Sequence, residues 1–101
     1  MTDLELTKLA AEAMGINAQE NDDGAVRYLE SGIQYRKYDP LHDDAQAMAL
    51  VKRFCMTIDR PDDDGDWGAT VWRSEDDPVC ACRKDLNRAI VECVAKMRRD
   101  T

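Results

Sequence analysis

Cys80 and Cys82 are the pair in this sequence whose spacing most invites chemistry. Residues two apart on a strand point to the same face, so the two sulfurs share a side. With Cys55, Cys93 or His42 they make a candidate zinc set, because zinc takes four tetrahedral sulfur and nitrogen donors. The spacing is C-x-C, however, and not the C-x2-C of a zinc knuckle. Cys93 falls on the apolar stripe of a helix and Cys55 opens a strand, positions where cysteine serves as a small hydrophobe. Reduced structural thiols and no metal are therefore expected. His42 is the sole histidine and stands before Asp43 and Asp44. An imidazole held by a carboxylate suits a general base, but the sequence has no second histidine, no G-x-S-x-G and no H-E-x-x-H. Position 42 reads instead as the entry to a helix. The turn Asp62-Asp63-Asp64-Gly65-Asp66 invites a calcium reading. With Gly65 at its sixth position, an EF-hand loop needs an oxygen ligand at 60 and a glutamate at 71. Those positions hold Arg60 and Val71, so the register fails and a charged hairpin loop is expected. No glycine-rich phosphate loop is present. No catalytic residue, cofactor or enzymatic activity is assigned.

The formal charge is −7 and is unevenly spread. Asp59, Asp62, Asp63, Asp64, Asp66, Glu75, Asp76 and Asp77 face only Arg60 and Arg73 between positions 59 and 77, so that segment carries most of the excess. Such a balance disfavours binding to a phosphate backbone. A local acidic lobe instead attracts a basic protein surface, or serves as solvated loop charge, or mimics nucleic acid. Trp67 and Trp72 are five apart and so fall on opposite faces of a regular strand. One is expected in the core and the other exposed as a contact anchor. Asp62, Asp63, Asp64, Asp66, Trp67, Trp72, Glu75, Asp76 and Asp77 are the candidate partner-binding residues. Arg83, Lys84, Arg88, Lys96, Arg98 and Arg99 cluster about the last helix. They suit its dipole, or form a patch for an acidic partner or for the acidic hairpin of a second copy.

The elements that must hold these residues follow from periodicity and punctuation. A chain of 101 residues with 44% apolar and 35% charged residues is expected to form a single domain, 1–101. No apolar run approaches the roughly 20 residues that span a bilayer. The acidic N-terminus is unlike a secretory signal, so a cytoplasmic location with reduced thiols is expected. Thr2 and Glu5 make a capping box. Leu6, Leu9, Ala10, Ala13 and Met14 repeat at helical spacing, and Gly15 suits a left-handed cap, which predicts a helix near 3–14. Asn17 to Gly24 reads as a polar, turn-rich link. Two short strands, 25–30 and 33–38, are joined at Ser31-Gly32. Pro40 and an aspartate cap, Asp43 or Asp44, open a helix near 43–54, whose stripe is Ala47, Leu50, Val51 and Phe54. This helix is expected at the centre of the core. A second hairpin pairs 55–59 with 67–72, and Val79 to Cys82 is a candidate edge strand. The last helix, near 84–98, holds Leu86, Ala89, Ile90, Cys93, Val94 and Met97 on one face, and Leu9, Leu50, Val51, Phe54, Ile90 and Val94 are the residues expected to be buried.

Three segments resemble the phage ABA sandwich domain family of small bacteriophage and prophage proteins. Leu9-Ala10-Ala11-Glu12-Ala13-Met14-Gly15 is similar to that family's opening helix and glycine. Tyr38-Asp39-Pro40-Leu41-His42-Asp43-Asp44-Ala45 is similar to its aromatic-x-Pro segment, and Asp85-Leu86-Asn87-Arg88-Ala89-Ile90 to its last helix. The sequence departs from that pattern at Ile16, Tyr38 and His42, where an aromatic, a tryptophan and a small hydroxyl residue are usual. The resemblance implies helices on both sides of a sheet and brings no catalytic residues. The expected fold is α+β: an antiparallel sheet of four or five strands covered by three helices, compatible with a three-layer α/β/α sandwich. The expected function is that of a small acidic phage or prophage accessory protein that binds a host or phage protein with a basic surface. It acts as a counter-defence inhibitor or regulator in the host cytoplasm, without direct contact to nucleic acid or membrane. Homo-oligomers are compatible with this reading. The alternative is a small-molecule or nucleotide-binding module, with a pocket lined by Tyr28, Tyr35 or Tyr38 and Arg36.

Overall fold

Caps and apolar stripes place the helices close to where the sequence puts them. In the computed structural model, which describes residues 2–20, 24–29, 35–60 and 65–99, α1 spans Asp3–Ala13, α2 Asp44–Phe54 and α3 Leu86–Arg99. Thr2 Oγ1 accepts the Glu5 N–H, and Asp43 rather than Asp44 caps α2, accepting the Gln46 N–H at 3.1 Å. Asp85 does the same for α3 through the Arg88 N–H. At its other end α1 stops at Gly15, whose φ of +72° is left-handed; the Ile16 N–H returns to the Ala11 carbonyl. The α2 helix ends in the same way, with the Met56 N–H on the Val51 carbonyl, but the left-handed residue there is Cys55. Cys55 is thus a helix terminator and not the first residue of a strand. The strand begins two residues later, because Cys55 and Met56 are consumed in closing the helix.

Six strands form two antiparallel sheets of three among the described residues, an α+β fold. β1 (Ala18–Glu20), β2 (Val26–Leu29) and β3 (Tyr35–Lys37) make the first; β4 (Thr57–Asp59), β5 (Trp67–Trp72) and β6 (Pro78–Arg83) the second. The expected single sheet of four or five strands is therefore two smaller sheets. Among the described residues no strand of the first sheet pairs with one of the second, and α2 lies between them in the chain. β1 has no apolar alternation, only Ala18-Gln19-Glu20, and reads as loop. It is a strand because β2 supplies the pairing, with Ala18 opposite Tyr28 and Glu20 opposite Val26.

The last helix, not the middle one, organises the core. Ala89, Ile90, Val91, Cys93, Val94 and Ala95 of α3 are buried, and α3 packs against α1, α2, β5 and β6. The α2 helix buries only Ala47 and Leu50 and leans chiefly on α3. Leu50, Ile90 and Val94 are buried as expected. Val51 and Phe54 are half-buried at the margin of the core, because neither sheet packs broadly on α2, and Leu9 of α1 is half-buried too. In the second sheet Ala69, Val71, Val79 and Ala81 face α3. Its opposite face carries Thr57, Asp59, Gly68, Thr70, Trp72, Cys80 and Cys82 and is open to solvent, so the layering there is helix on sheet. The free edge of β6 is closed by side chains. Lys96 Nζ donates to the Cys80 carbonyl and Arg83 to the Cys82 carbonyl, which removes acceptors that invite a foreign strand.

Candidate functional site

The open face of the second sheet is built from rows of paired residues. Thr57, Thr70 and Cys80 form one row across the three strands; Asp59, Gly68 and Cys82 form the next. Gly68 leaves a shallow dip. A Cβ there would meet Asp59 Oδ2 at 3.5 Å and Cys82 Sγ at 3.9 Å, so these two side chains lean over the missing methyl. At the far end Trp72 pairs with Pro78 and remains 56% exposed, a large apolar surface left in water. The turn that follows is held shut: Arg73 Nε lies 2.9 Å from Asp77 Oδ2, Nη2 donates to Asp77 Oδ1, and the Arg73 N–H reaches the Asp77 carbonyl. That clamp uses Asp77 internally and leaves Glu75 and Asp76 exposed beside Trp72.

The strand register separates the sequence-predicted residues. Trp72, Glu75, Asp76 and Asp77 gather at one end of β5. Trp67 is in phase with Ala69 and Val71, is half-buried and packs against the core, so the two tryptophans do fall on opposite faces. Asp66 is half-buried beside it. Asp62, Asp63 and Asp64 lie outside the described residues. Thr57, Thr70 and Gly68 join the face without having been singled out, and Asp59 of the acidic segment joins it though it was not among the candidate contact residues. The signal for them is the alternation of small polar with apolar residues along β4 and β5.

The thiols divide by burial. Cys93 is fully buried, donates to the Val79 carbonyl at 3.1 Å and has its pKa pushed up to about 11 by that burial. Cys55, Cys80 and Cys82 are exposed. Cys80 and Cys82 share a face as the spacing predicts, but that face is the open one. Among the described residues no three of His, Cys, Asp and Glu are placed to hold a metal ion.

A second feature is an open cleft of about 360 Å³ between the first turn of α1, the start of β2 and the β3–α2 connection. Asp3, Thr7, Arg27, Lys37, Asp39 and His42 line it, with Tyr38 in its wall. His42 Nδ1 lies 3.0 Å from Asp39 Oδ2, and Lys37 is within 4.0 Å of the same carboxylate. Asp3 is taken by Arg88 at 2.7 Å. Gln46 clips this connection in place, accepting the Asp39 N–H and donating to the Lys37 carbonyl. Tyr38 is buried, packs edge-on against Tyr28 with ring centres 6.0 Å apart, and its hydroxyl pKa is pushed up to about 12 by that burial. Its oxygen has no hydrogen-bond partner among the described residues. Of the residues expected to line a pocket, Tyr38 alone reaches the cleft. Tyr28 stands behind it, and Tyr35 and Arg36 are exposed on β3.

No helix among the described residues is long and apolar enough to cross a membrane. No protein-family model matches the chain, and no curated protein is similar to it.

Proposed function

We propose that this protein acts by binding another protein through the open face of its second sheet, with Trp72 as the anchor. The observation that carries this reading is a tryptophan more than half exposed on a face whose described outward strand positions hold Asp59 and no lysine or arginine, beside a turn that exposes Glu75 and Asp76 while its one cation, Arg73, is clamped to Asp77. Exposed tryptophans bury much area on contact and are over-represented among the residues that dominate binding energy. The acids select a partner with a basic surface and speed its approach. The family resemblance supports placing this activity in a phage or prophage accessory protein that acts on a host protein in the host cytoplasm, as an inhibitor or regulator and without catalysis.

The test is kinetic. A partner isolated with the wild-type chain is bound to it at two salt concentrations, alongside a variant carrying Asp59→Lys, Glu75→Lys and Asp76→Lys, and alongside Trp72→Ala. The charge reversal should slow association and flatten its salt dependence. Trp72→Ala should chiefly speed dissociation, by about tenfold or more. A partner whose rates ignore both variants ends this reading. A second reading is favoured by the cleft at His42, whose arginine, lysine and imidazole suit a small anion such as a nucleotide. A nucleotide-induced rise in melting temperature that Lys37→Ala abolishes is its test.

A further inference from the structure

The C-terminal ends of all three helices meet around a second recess. Ala13 of α1, Phe54 of α2 and Met97 of α3 form its apolar floor, Arg73 and Arg98 form its rim, and it measures about 390 Å³. Because α1 stops at Gly15 and α2 at Cys55, neither helix runs on to cover Phe54 and Met97, which stay half-buried. The same end of the molecule is cationic. The last turns of α2 and α3 add Lys52, Arg53 and Arg99 to the two rim arginines. Among the described residues, Asp77, clamped to Arg73, and Glu12, 3.6 Å from Arg98, stand against these.

An apolar floor under a cationic rim calls for a large apolar side chain flanked by carboxylates. The molecule carries such a group in Trp72, exposed between Pro78 and the acidic pair Glu75 and Asp76. We infer that Trp72 of one copy seats in the helix-end recess of a second copy, with Glu75 and Asp76 meeting its arginines. The indole gains apolar contact with Phe54 and Met97, and a guanidinium over its face adds a cation–π attraction. Trp72 directly precedes Arg73, so anchor and recess adjoin at one end of β5. A two-fold axis there closes both contacts at once, giving a dimer in place of an open chain. The surface involved is small against the roughly 1,200 Å² of stable interfaces, so the association is weak and reversible. It occupies the face that the proposed function assigns to a foreign partner. Dimer and partner complex therefore compete.

Sedimentation velocity over a wide concentration range tests this with the full chain, Trp72→Ala, Arg98→Glu and an equimolar mixture of the two variants. The wild type should dimerise with rising concentration and dissociate in high salt. Each variant alone should weaken the dimer by about tenfold or more. The mixture should recover part of the association, because the mixed pair keeps one of the two contacts whole: the tryptophan of the Arg98→Glu copy in the recess of the Trp72→Ala copy. A wild type that stays monomeric, a dimer indifferent to both substitutions, or a mixture no better than its components overturns the inference. Circular dichroism melts of both variants check that the fold is intact, so that a lost dimer is read as a lost contact. The two readings fail separately. Arg98→Glu leaves the Trp72 face whole, so it should lose self-association while retaining partner binding.

Discussion

The sharpest residue-scale contrast is between Gly15 and Cys55, which end two helices with the same hydrogen bonds. Gly15 adopts φ +72° at no steric cost, whereas Cys55 holds φ +51° with a Cβ that crowds its own backbone. Cys55→Gly should therefore raise stability by about 0.5–1 kcal/mol, and Gly15→Ala should lower it by about 1 kcal/mol, both read from urea midpoints. Space is not the obstacle at Gly15, since a Cβ there meets nothing within 4 Å. The strain lies in the dihedral. Cys93 gives a second prediction. Burial moves its thiol from 9.0 to about 11, so the folded state holds its proton where the unfolded chain releases it. The resulting stability is full below pH 9 and fades as the pH rises to about 11. Tyr38 acts in the same direction between pH 10 and about 12. Denaturation midpoints should thus fall through this alkaline range, and less steeply in Cys93→Ala. A thiol reagent should modify Cys55, Cys80 and Cys82 quickly and Cys93 only on unfolding.

At the scale of elements, α3 is the piece the others need. Its inward residues touch α1, α2 and the second sheet together, so a cavity there is felt from several sides. Ile90→Ala should cost about 2–5 kcal/mol. Phe54→Ala should cost less, about 1–2 kcal/mol, because the ring is only half-buried and its loss opens the helix-end recess to water instead of leaving a sealed void. Equal losses for the two substitutions, measured by chemical denaturation, return α2 to the centre of the core. The apolar stripe of α3 is the stronger of the two, but a stripe alone does not say how many elements pack on it. The ranking comes from position: α3 lies across a sheet, and α2 lies chiefly against α3.

Taken whole, the molecule separates its charges. Acids gather at the open sheet face and its turn, and cations gather where the helices end. The helix-end cations sit where the helix dipoles favour them, and the acidic turn adjoins them through Arg73, whose pairing with Asp77 offsets charge at the boundary. Much of this was legible in the chain. Caps at Thr2 and Asp43, apolar residues at helical spacing and Gly15 are local signals, and local geometry obeys them; the Asp85 cap, one residue inside the expected start of the last helix, emerges only in the structure. Alternation likewise put Trp67 and Trp72 on opposite faces. What the sequence leaves open depends on contacts between distant residues. Ala18-Gln19-Glu20 is a strand only because β2 lies beside it. Which tryptophan is buried was undecided until α3 chose a face of the second sheet, and that choice exposed Trp72, Cys80 and Cys82. The cleft that joins Asp39 and His42 to Arg27 needs α1 and β2 folded against the β3–α2 connection. Periodicity specifies that an element has two faces. Only the tertiary packing settles which face another element covers and which is left to meet a partner.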